Sequence, residues 1–383
     1  MQNIVRRMYH LMFTLGFLLV GCMPQDRTPT PGFLPETSGS TLPIREIWCQ
    51  NTASPVSYPT AFNGLVYTIQ DKEGDREKML VVVYNSDGHL RWQQKVASLG
   101  TPGFWFVQDG FLVTGTNASI TVLDAQSGEI LWQNNIFTNR GMTVGDEKVF
   151  VSTYGFIWAL DISNGEVVWE IPGPGRSAAQ APYYSPENNF LLLDQSTYRI
   201  VDASTGEIFY ETGRTFNLQE PSNVNEGVIN QGKYLRVRPL RLEVLNPMTA
   251  EILHAFEGRY NPLDQYPFVQ DGIAYLNSYW AVEVIDIERQ ERVWRHEFSR
   301  DFEEDGLKVY GGPVLYQDAV YVILSDASIR ALDRQSGEEI GKWQGRQVER
   351  RWGIGTPIIP GFAIGGDLLY VSFGTHELCA FGK

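Results

Sequence analysis

The chain has 383 residues, a formal net charge of −14 and an aromatic content of 13%. This acidic balance argues against binding to nucleic acid and against adsorption to anionic lipid, because both need basic surface. The three cysteines, Cys22, Cys49 and Cys379, are too few for a metal site of the multi-cysteine kind.

The first residues have the layout of a bacterial export signal. Arg6 and Arg7 precede an apolar run over residues 11–20 that is too short to span a bilayer comfortably as a mature helix. The run ends in Leu19-Val20-Gly21-Cys22, which resembles the lipobox of bacterial lipoproteins. That resemblance implies a signal peptide over residues 1–21, cleavage before Cys22 and a diacylglyceryl thioether on its sulfur. An ordinary secretory signal or an uncleaved anchor is the alternative.

Residues 22–42 follow as the acylated cysteine and a flexible linker. The segment is rich in Pro, Thr, Ser and Gly, a composition that cannot build a core. Two or three acyl chains are enough for stable attachment to a membrane. The sequence therefore predicts an extracytoplasmic protein that is lipid-anchored to a bacterial cell membrane or outer membrane, with residues 43–383 as its folded domain.

One motif recurs about every forty residues through that domain. Its clearest copy runs from Leu123-Asp124 through Ser127-Gly128-Glu129 to Trp132. Close copies are centred on Asp161, Asp202 and Asp333, and weaker ones on Tyr84, Asn246 and Asp286. Apolar-polar alternation before the motif predicts a strand. The turn then follows, because Asp bonds the backbone two residues on and Gly accepts a positive φ.

A second hairpin precedes the motif in each repeat. Its turns include Asn63-Gly64, Asp109-Gly110 and Asp271-Gly272, which are dipeptides that type I′ two-residue loops prefer. Two hairpins per period give four antiparallel strands, the blade of a propeller. The sequence predicts an all-β fold, an eight-bladed β-propeller of four-stranded antiparallel blades.

The eighth blade is divided between the chain ends. Residues 369–373 and 377–381 are interpreted as its second and third strands, and residues 44–48 as its fourth. This N-terminal strand closes the ring and leaves no open sheet edge at the seam. A seven-bladed ring stays open as an alternative, because the fifth and eighth repeats are weak.

Cys49 and Cys379 lie on the two strands that meet at this seam. Mapped onto the second repeat, they correspond to Thr121 and Gln133, six residues before and after Ser127, so they are near cross-strand neighbours. Close cross-strand pairs can fit disulfide geometry. The sequence predicts a disulfide that clasps the two ends, with two buried free thiols as the alternative.

The repeated motif resembles that of the PQQ-like (pyrroloquinoline-quinone-type) propellers over about residues 43–383. With its lipobox and eight blades, the chain resembles the PQQ-like lipoproteins of outer-membrane β-barrel assembly. That resemblance implies a non-enzymatic scaffold that binds partners through loops on one face of the ring. Two alternatives are a PQQ-dependent oxidoreductase and a binder of an envelope sugar or peptide in the central funnel.

The residues argue against the quinone. The family's dehydrogenases cap the cofactor with a disulfide between adjacent cysteines, and this chain has no Cys-Cys pair. They also carry Ca²⁺ ligands and an Asp base on long inserted loops, to which no segment here corresponds. The repeat aspartates are interpreted as turn formers, and the aromatic row that contains Trp92 and Trp132 as packing between blades. We expect no catalytic residue, no cofactor and no metal ligand.

Two connections have the composition of a protein-binding surface. Residues 299–305 are acidic and residues 345–352 are basic, and each contains one aromatic residue. The candidate partner-binding residues are Phe302, Glu303, Glu304, Arg346, Arg350, Arg351 and Trp352. Arg236, Arg238 and Arg241 crowd the fifth blade in the same way. Aromatic residues beside arginines are typical of interface hot spots, and solvated loops are the plainer alternative.

The sequence thus favours a monomeric scaffold that binds envelope proteins by non-covalent contacts, without nucleic acid and without catalysis.

Overall fold

The computed structural model describes residues 41–52, 56–71, 78–97, 104–115, 119–136, 141–153, 155–173, 181–194, 197–213, 226–238, 241–258, 267–278, 280–299, 306–344, 361–373 and 376–383. Within these ranges the regular secondary structure is entirely β-strand. The expected signal peptide, Cys22 and nearly all of the expected linker lie outside the described residues.

The described part of the chain contains thirty-two strands, which form eight antiparallel four-stranded sheets. Blade 1 contains β2 (Val56–Phe62), β3 (Leu65–Asp71), β4 (Lys78–Asn85) and β5 (Leu90–Ala97), and blade 2 contains β6 (Phe104–Gln108), β7 (Phe111–Gly115), β8 (Ile120–Asp124) and β9 (Ile130–Asn134). Blade 3 contains β10 (Met142–Gly145), β11 (Lys148–Ser152), β12 (Phe156–Asp161) and β13 (Val167–Pro172), and blade 4 contains β14 (Tyr183–Ser185), β15 (Phe190–Asp194), β16 (Thr197–Asp202) and β17 (Ile208–Gly213).

Blade 5 contains β18 (Glu226–Asn230), β19 (Lys233–Arg238), β20 (Arg241–Leu245) and β21 (Ile252–Glu257), and blade 6 contains β22 (Phe268–Gln270), β23 (Ile273–Asn277), β24 (Ala281–Asp286) and β25 (Glu291–Glu297). Blade 7 contains β26 (Val309–Tyr316), β27 (Ala319–Leu324), β28 (Ser328–Asp333) and β29 (Glu339–Gln344), and blade 8 contains β30 (Gly361–Gly365), β31 (Leu368–Ser372), β32 (Glu377–Gly382) and the N-terminal β1 (Arg45–Asn51). The order β30-β31-β32-β1 in the last sheet confirms the eight-bladed ring closed by an N-terminal strand, and the seven-bladed alternative is wrong.

The strand directions give the ring two distinct faces. Turns between the first and second strands and between the third and fourth strands of each blade lie on one face, called here the turn face. Connections between the second and third strands, and from one blade to the next, lie on the other, called here the loop face. The expected I′ turns are on the turn face, where Asn63 and Gly64 have φ of 48° and 75° and Asp271 and Gly272 have φ of 52° and 75°.

The repeat aspartates are turn formers, as the sequence predicts. Asp124 Oδ1 accepts hydrogen bonds from the backbone N of Gln126 at 3.1 Å and of Ser127 at 2.7 Å, and also from the Ser127 hydroxyl. Gly128 follows with φ of 77°. The bonds from Ser127 hold the pKa of Asp124 below its ordinary value despite the opposing effect of burial. The carboxylate is therefore already used for structure.

Adjacent blades are joined by an aromatic ring that lies on the turn glycine of the next blade. Trp169 of blade 3 donates its Nε1–H to the carbonyl of Ala203 in blade 4 at 2.9 Å. A Cβ added to Gly206 would lie 2.9 Å from the Trp169 ring. The same contact to a turn glycine is made by Trp48 with Gly88, Trp92 with Gly128, Trp132 with Gly165 and Trp294 with Gly337. The aromatic row is therefore packing between blades, as predicted.

Apolar side chains fill the spaces between neighbouring blades. One cluster joins Tyr67 and Val83 of blade 1 to Leu112 and Leu123 of blade 2, all buried. Strands flanked by a blade on each side bury both their faces, and β15 and β27 are buried along their whole length. This burial explains why these strands are near-continuous apolar runs in the sequence.

The seam of blade 8 has the predicted disulfide. Cys49 on β1 lies directly opposite Cys379 on β32, and the two Cα atoms are 4.0 Å apart. The corresponding pair in blade 2, Thr121 and Gln133, is also directly opposite, so the mapping from the repeat is confirmed.

The chain enters the propeller along the outer strand of blade 7. Thr41 N donates to the Lys342 carbonyl at 2.9 Å, and Lys342 N donates back to Thr41 Oγ1 at 2.9 Å. Gly341 occupies the position where other blades have the aromatic ring, and a Cβ there would lie 2.5 Å from Thr41 O. Trp343 carries the ring instead and stacks on Phe373 with centroids 5.3 Å apart. The passing backbone thus accounts for the displaced tryptophan of this repeat.

Two glycines separate the cost of the ring contact from the cost of the backbone conformation. Gly206 and Gly232 both have positive φ, but only Gly206 lies under a tryptophan. Gly232→Ala should cost about 1 kcal/mol, because left-handed backbone disfavours a Cβ. Gly206→Ala should cost about 1–3 kcal/mol more, since the added methyl overpacks Trp169. Urea unfolding of both variants tests this expectation, and equal losses would refute the role assigned to the tryptophan contact.

The disulfide should contribute to stability by joining ends that are 330 residues apart in sequence. Reduction of the folded protein should lower its free energy of unfolding by about 2–5 kcal/mol, as loss of a native disulfide commonly does. The Cys49→Ala/Cys379→Ala double variant is the matched control, and reductant should leave its unfolding curve unchanged. A wild-type curve that does not respond to complete reduction contradicts the clasp.

Candidate functional site

The residues predicted to bind a partner belong to two blade-to-blade connections. Phe302, Glu303 and Glu304 lie outside the described residues, as do Arg346, Arg350, Arg351 and Trp352, so their roles stay predictions. The described strands that flank them are informative. β25 ends at Glu297 and β26 begins at Val309, whereas β29 ends at Gln344 and β30 begins at Gly361. All four of these strand ends are on the loop face of blades 6 to 8.

The two ends of the acidic connection are tied together by one hydroxyl group. Ser299 Oγ accepts a hydrogen bond from Leu307 N at 2.5 Å and donates to the Leu307 carbonyl at 3.2 Å. Lys308 N then donates to Ser325 Oγ at 3.1 Å, and Ser325 N donates to the Lys308 carbonyl at 2.8 Å. These bonds fix where the connection leaves and rejoins the blades.

The start of the basic connection is fixed from blade 7. Gln344 Nε2 donates to the Asp326 carbonyl at 2.9 Å. Arg330 bonds both carboxylate oxygens of Glu339, at 2.9 and 3.0 Å, and lies on the strand beside this exit point. Both candidate connections therefore begin from hydrogen-bonded positions on rigid strands, which is how binding loops are usually supported.

A buried charge cluster lies near the loop face of blades 4 and 5. Arg236 is almost fully buried, and it pairs with Glu243 at 2.5 Å and with Asp194 of blade 4 at 3.3 Å. Glu243 also forms ion pairs with Arg238 at 3.1 Å and with Arg241 at 2.6 Å. Sequence composition marks these three arginines as hot-spot candidates, but the structure pairs all three with one buried glutamate. Arg238 and Arg241 remain 20% and 36% exposed, so only these two can also reach a partner.

The charges of this cluster hold one another in the ionised state. Burial would raise the pKa of Glu243, but Arg236, Arg238 and Arg241 together hold it below its ordinary value. Burial and the neighbouring Asp194 carboxylate raise the pKa of Tyr234, whose hydroxyl donates to Asp194 Oδ2 at 3.1 Å. A buried pair of this kind is costly to break, because its surviving partner keeps an uncompensated charge.

The same strand position is charged in the next blade. Glu283 is fully buried on β24 and pairs with Arg292 at 3.0 Å and with Arg295. Like Glu243, it stands three residues before the motif's first turn position, which is Asn246 in blade 5 and Asp286 in blade 6. This position pairs across to the outer strand as Arg199 with Glu211, Trp158 with Glu170 and Cys379 with Cys49. Sequence reasoning found only the Cys49–Cys379 pair of this row, although the position lies three residues before the first turn position in each of blades 3 to 6.

No group of three His, Cys, Asp or Glu side chains within the described ranges is arranged to hold a metal ion. In the same part of the chain, no helix has the length and apolar character that crossing a membrane requires.

The two sequence comparisons with known proteins point to one kind of relative. A family model described as outer membrane protein assembly factor BamB matches residues 45–172 and 116–215. A curated protein of the same description from Yersinia pestis is 22% identical over an alignment of 242 residues that covers 55% of this chain and 60% of that protein. The sequence match thus spans about three fifths of that relative's length.

Solved structures share the architecture. BamB from Moraxella catarrhalis aligns with a TM-score of 0.65 at 15% identity, covering 89% of this chain and 100% of that chain. A europium-containing methanol dehydrogenase aligns with a TM-score of 0.65 at 13% identity, covering 89% of this chain and 93% of that chain. Likenesses at such low identity show a common propeller fold and carry no activity with them.

Removal of the carboxylate at the centre of the charge cluster should destabilise the protein in a pH-dependent way. Glu243→Gln should cost about 3 kcal/mol at neutral pH, since Arg236 loses its main buried partner. The folded-state pKa of Glu243 lies below its ordinary value, so its contribution is present above that value and fades as pH falls through the folded pKa.

The difference in unfolding free energy between wild type and Glu243→Gln should therefore shrink in acid, as measured by urea unfolding across pH. Glu211→Gln is the matched control, because it removes the partner of Arg199 at a site where the carboxylate is 44% exposed. That loss should stay below about 1 kcal/mol. Equal losses in the two variants would contradict the buried network.

Proposed function

We propose that this chain, which is a PQQ-like β-propeller resembling the outer membrane protein assembly factor BamB, is a lipid-anchored extracytoplasmic scaffold that binds envelope proteins through its loop face. In this proposal residues 1–21 are a signal peptide, Cys22 is acylated, and residues 22–42 connect the membrane to the propeller. The lipobox pattern and the linker composition support the anchor.

The observation that carries the scaffold role is the support under the loop face. Ser299 and Leu307 fix the two ends of the acidic connection, and Gln344 fixes the start of the basic one. In the neighbouring blades, the buried Glu243 and Glu283 hold partly exposed arginines in place. Such preorganised arginines and firmly rooted loops lower the entropy cost of association.

The proposed role needs no chemical step. The Asp124 carboxylate is used in a turn, and its hydrogen bonds from Ser127 hold its pKa below the ordinary value. The names of the BamB relatives describe assembly factors, and this chain's role as an assembly component rests on that likeness. We propose envelope proteins as its partners and a monomer as its own state.

The test is affinity purification of the tagged lipoprotein after crosslinking in intact cells, with mass spectrometry of the recovered proteins. The Arg350→Ala/Arg351→Ala/Trp352→Ala variant should lose at least about tenfold of a recurrent envelope partner, because aromatic and arginine anchors dominate interface energies. Arg91→Ala/Arg289→Ala is the control, since it removes two exposed cations away from the loop face. Recovery that falls equally in both variants, or in neither, contradicts the loop-face assignment.

The same experiment tests the anchor. Cys22→Ala should move the protein from the membrane fraction to the soluble fraction and reduce recovery of the partner, while the unfolding curve of the propeller stays unchanged. Membrane association that survives this substitution contradicts acylation at Cys22.

A further inference from the structure

The blade 4–5 patch is a group of exposed apolar side chains on the outer rim near the turn face. Its members are Ile208, Phe209, Met248, Ile252 and Leu253, whose exposed fractions are 37–55%. The Tyr210 hydroxyl donates to the Thr249 carbonyl at 3.3 Å, and this bond brings the start of β17 against the turn that carries Met248. The five side chains therefore flank one contact between two blades.

Part of this exposure follows from the propeller architecture. In every blade the outer strand has a β-bulge three residues after the turn, which leaves one residue without a cross-strand partner. The bulged residue is apolar and exposed in seven blades: Ile47, Leu131, Val168, Phe209, Leu253, Val293 and Ile340. Bulges twist an edge strand and discourage edge-to-edge pairing. One such residue per blade needs no ligand to explain it.

Met248 has no such architectural reason. The equivalent turn position is polar in blades 2, 3, 4, 6 and 7, where it is occupied by Gln126, Ser163, Ser204, Glu288 and Gln335. Only in blade 5 does an exposed methionine stand there, between the apolar pairs 208–209 and 252–253. Methionine is adaptable in shape, and it is common on surfaces that bind apolar segments of other proteins. An exposed apolar patch rimmed by polar groups marks an interaction site.

The charges within the two segments that form the patch are of one sign. Glu207 and Glu251 are exposed beside it, and the segments 204–211 and 246–253 contain neither Lys nor Arg. A second copy of this chain would set these carboxylates against their own equivalents, and an anionic bilayer would be repelled as well. A positively charged partner complements both the apolar centre and the acidic rim.

We propose that the blade 4–5 patch binds a basic, amphipathic segment of another protein, with Phe209 and Met248 as its apolar anchors. This site goes beyond the proposed loop-face function, because it lies toward the opposite face of the ring. Apolar contact supplies affinity at the centre, and Glu207 and Glu251 select for cationic residues at the rim.

The probe is a fluorescent synthetic peptide of leucine and lysine, patterned to give one apolar and one basic helix face. Its binding to the folded protein is measured by fluorescence anisotropy. Phe209→Glu and Met248→Glu should each weaken binding about tenfold or more, as loss of an anchor at an interface centre does. Val168→Glu is the matched control, since Val168 occupies the same bulged position in blade 3, and it should bind like wild type.

Added salt should weaken binding of the basic peptide, and a version with glutamate in place of lysine should not bind. The proposal is overturned if the glutamate peptide binds equally well, if Val168→Glu loses as much affinity as Phe209→Glu, or if neither patch variant changes binding. Near-UV circular dichroism of each variant confirms that the propeller is folded. Sedimentation of the free protein tests the rival occupant, and self-association that disappears in Met248→Glu would also overturn the proposal.

Discussion

The ring depends on one repeated contact, an aromatic side chain from one blade lying on the turn of the next. The contact combines an indole hydrogen bond to a turn carbonyl with close packing against a residue that has no Cβ. The glycine is required both for its positive φ and for the space above it. Blades 1 to 3 each supply a ring to one neighbour and a turn to the other, so the geometry of each is set by the two blades beside it.

This constraint accounts for the irregular repeats. Blade 5 has Ala250 in place of the turn glycine, and the ring from blade 4 is the smaller Tyr210, which bonds the Thr249 carbonyl through its hydroxyl. Blade 6 has Gln290 at this position, and the residue facing it in sequence register is His254. In blade 5, where the Ala250 side chain replaces the turn glycine, the partner ring is smaller, so this degenerate copy is a compensated pair.

The spacing of the repeated motif predicts the blade count, the split eighth blade and the Cys49–Cys379 bond, because each follows from local periodicity and cross-strand register. Other features depend on contacts that no single repeat encodes. Arg236 pairs with Asp194 of the preceding blade, a partner forty-two positions away, so composition alone marks it as surface. Gly341 reflects the passage of Thr41, from the far end of the chain. The exposed Met248 is readable in the sequence only once the turn has been aligned with its equivalents.

The disulfide at the seam also determines how the molecule carries a mechanical load. A pull on the chain before Thr41 first meets the hydrogen bonds to Lys342, and then the ladder between β1 and β32. Beyond Cys49 the strand cannot be stripped away, since a covalent bond passes the force to Cys379. Tension is thereby transferred from the end of the chain into the closed ring, whose blades share it through their aromatic contacts. A force applied at this end of the chain therefore does not unravel the propeller strand by strand.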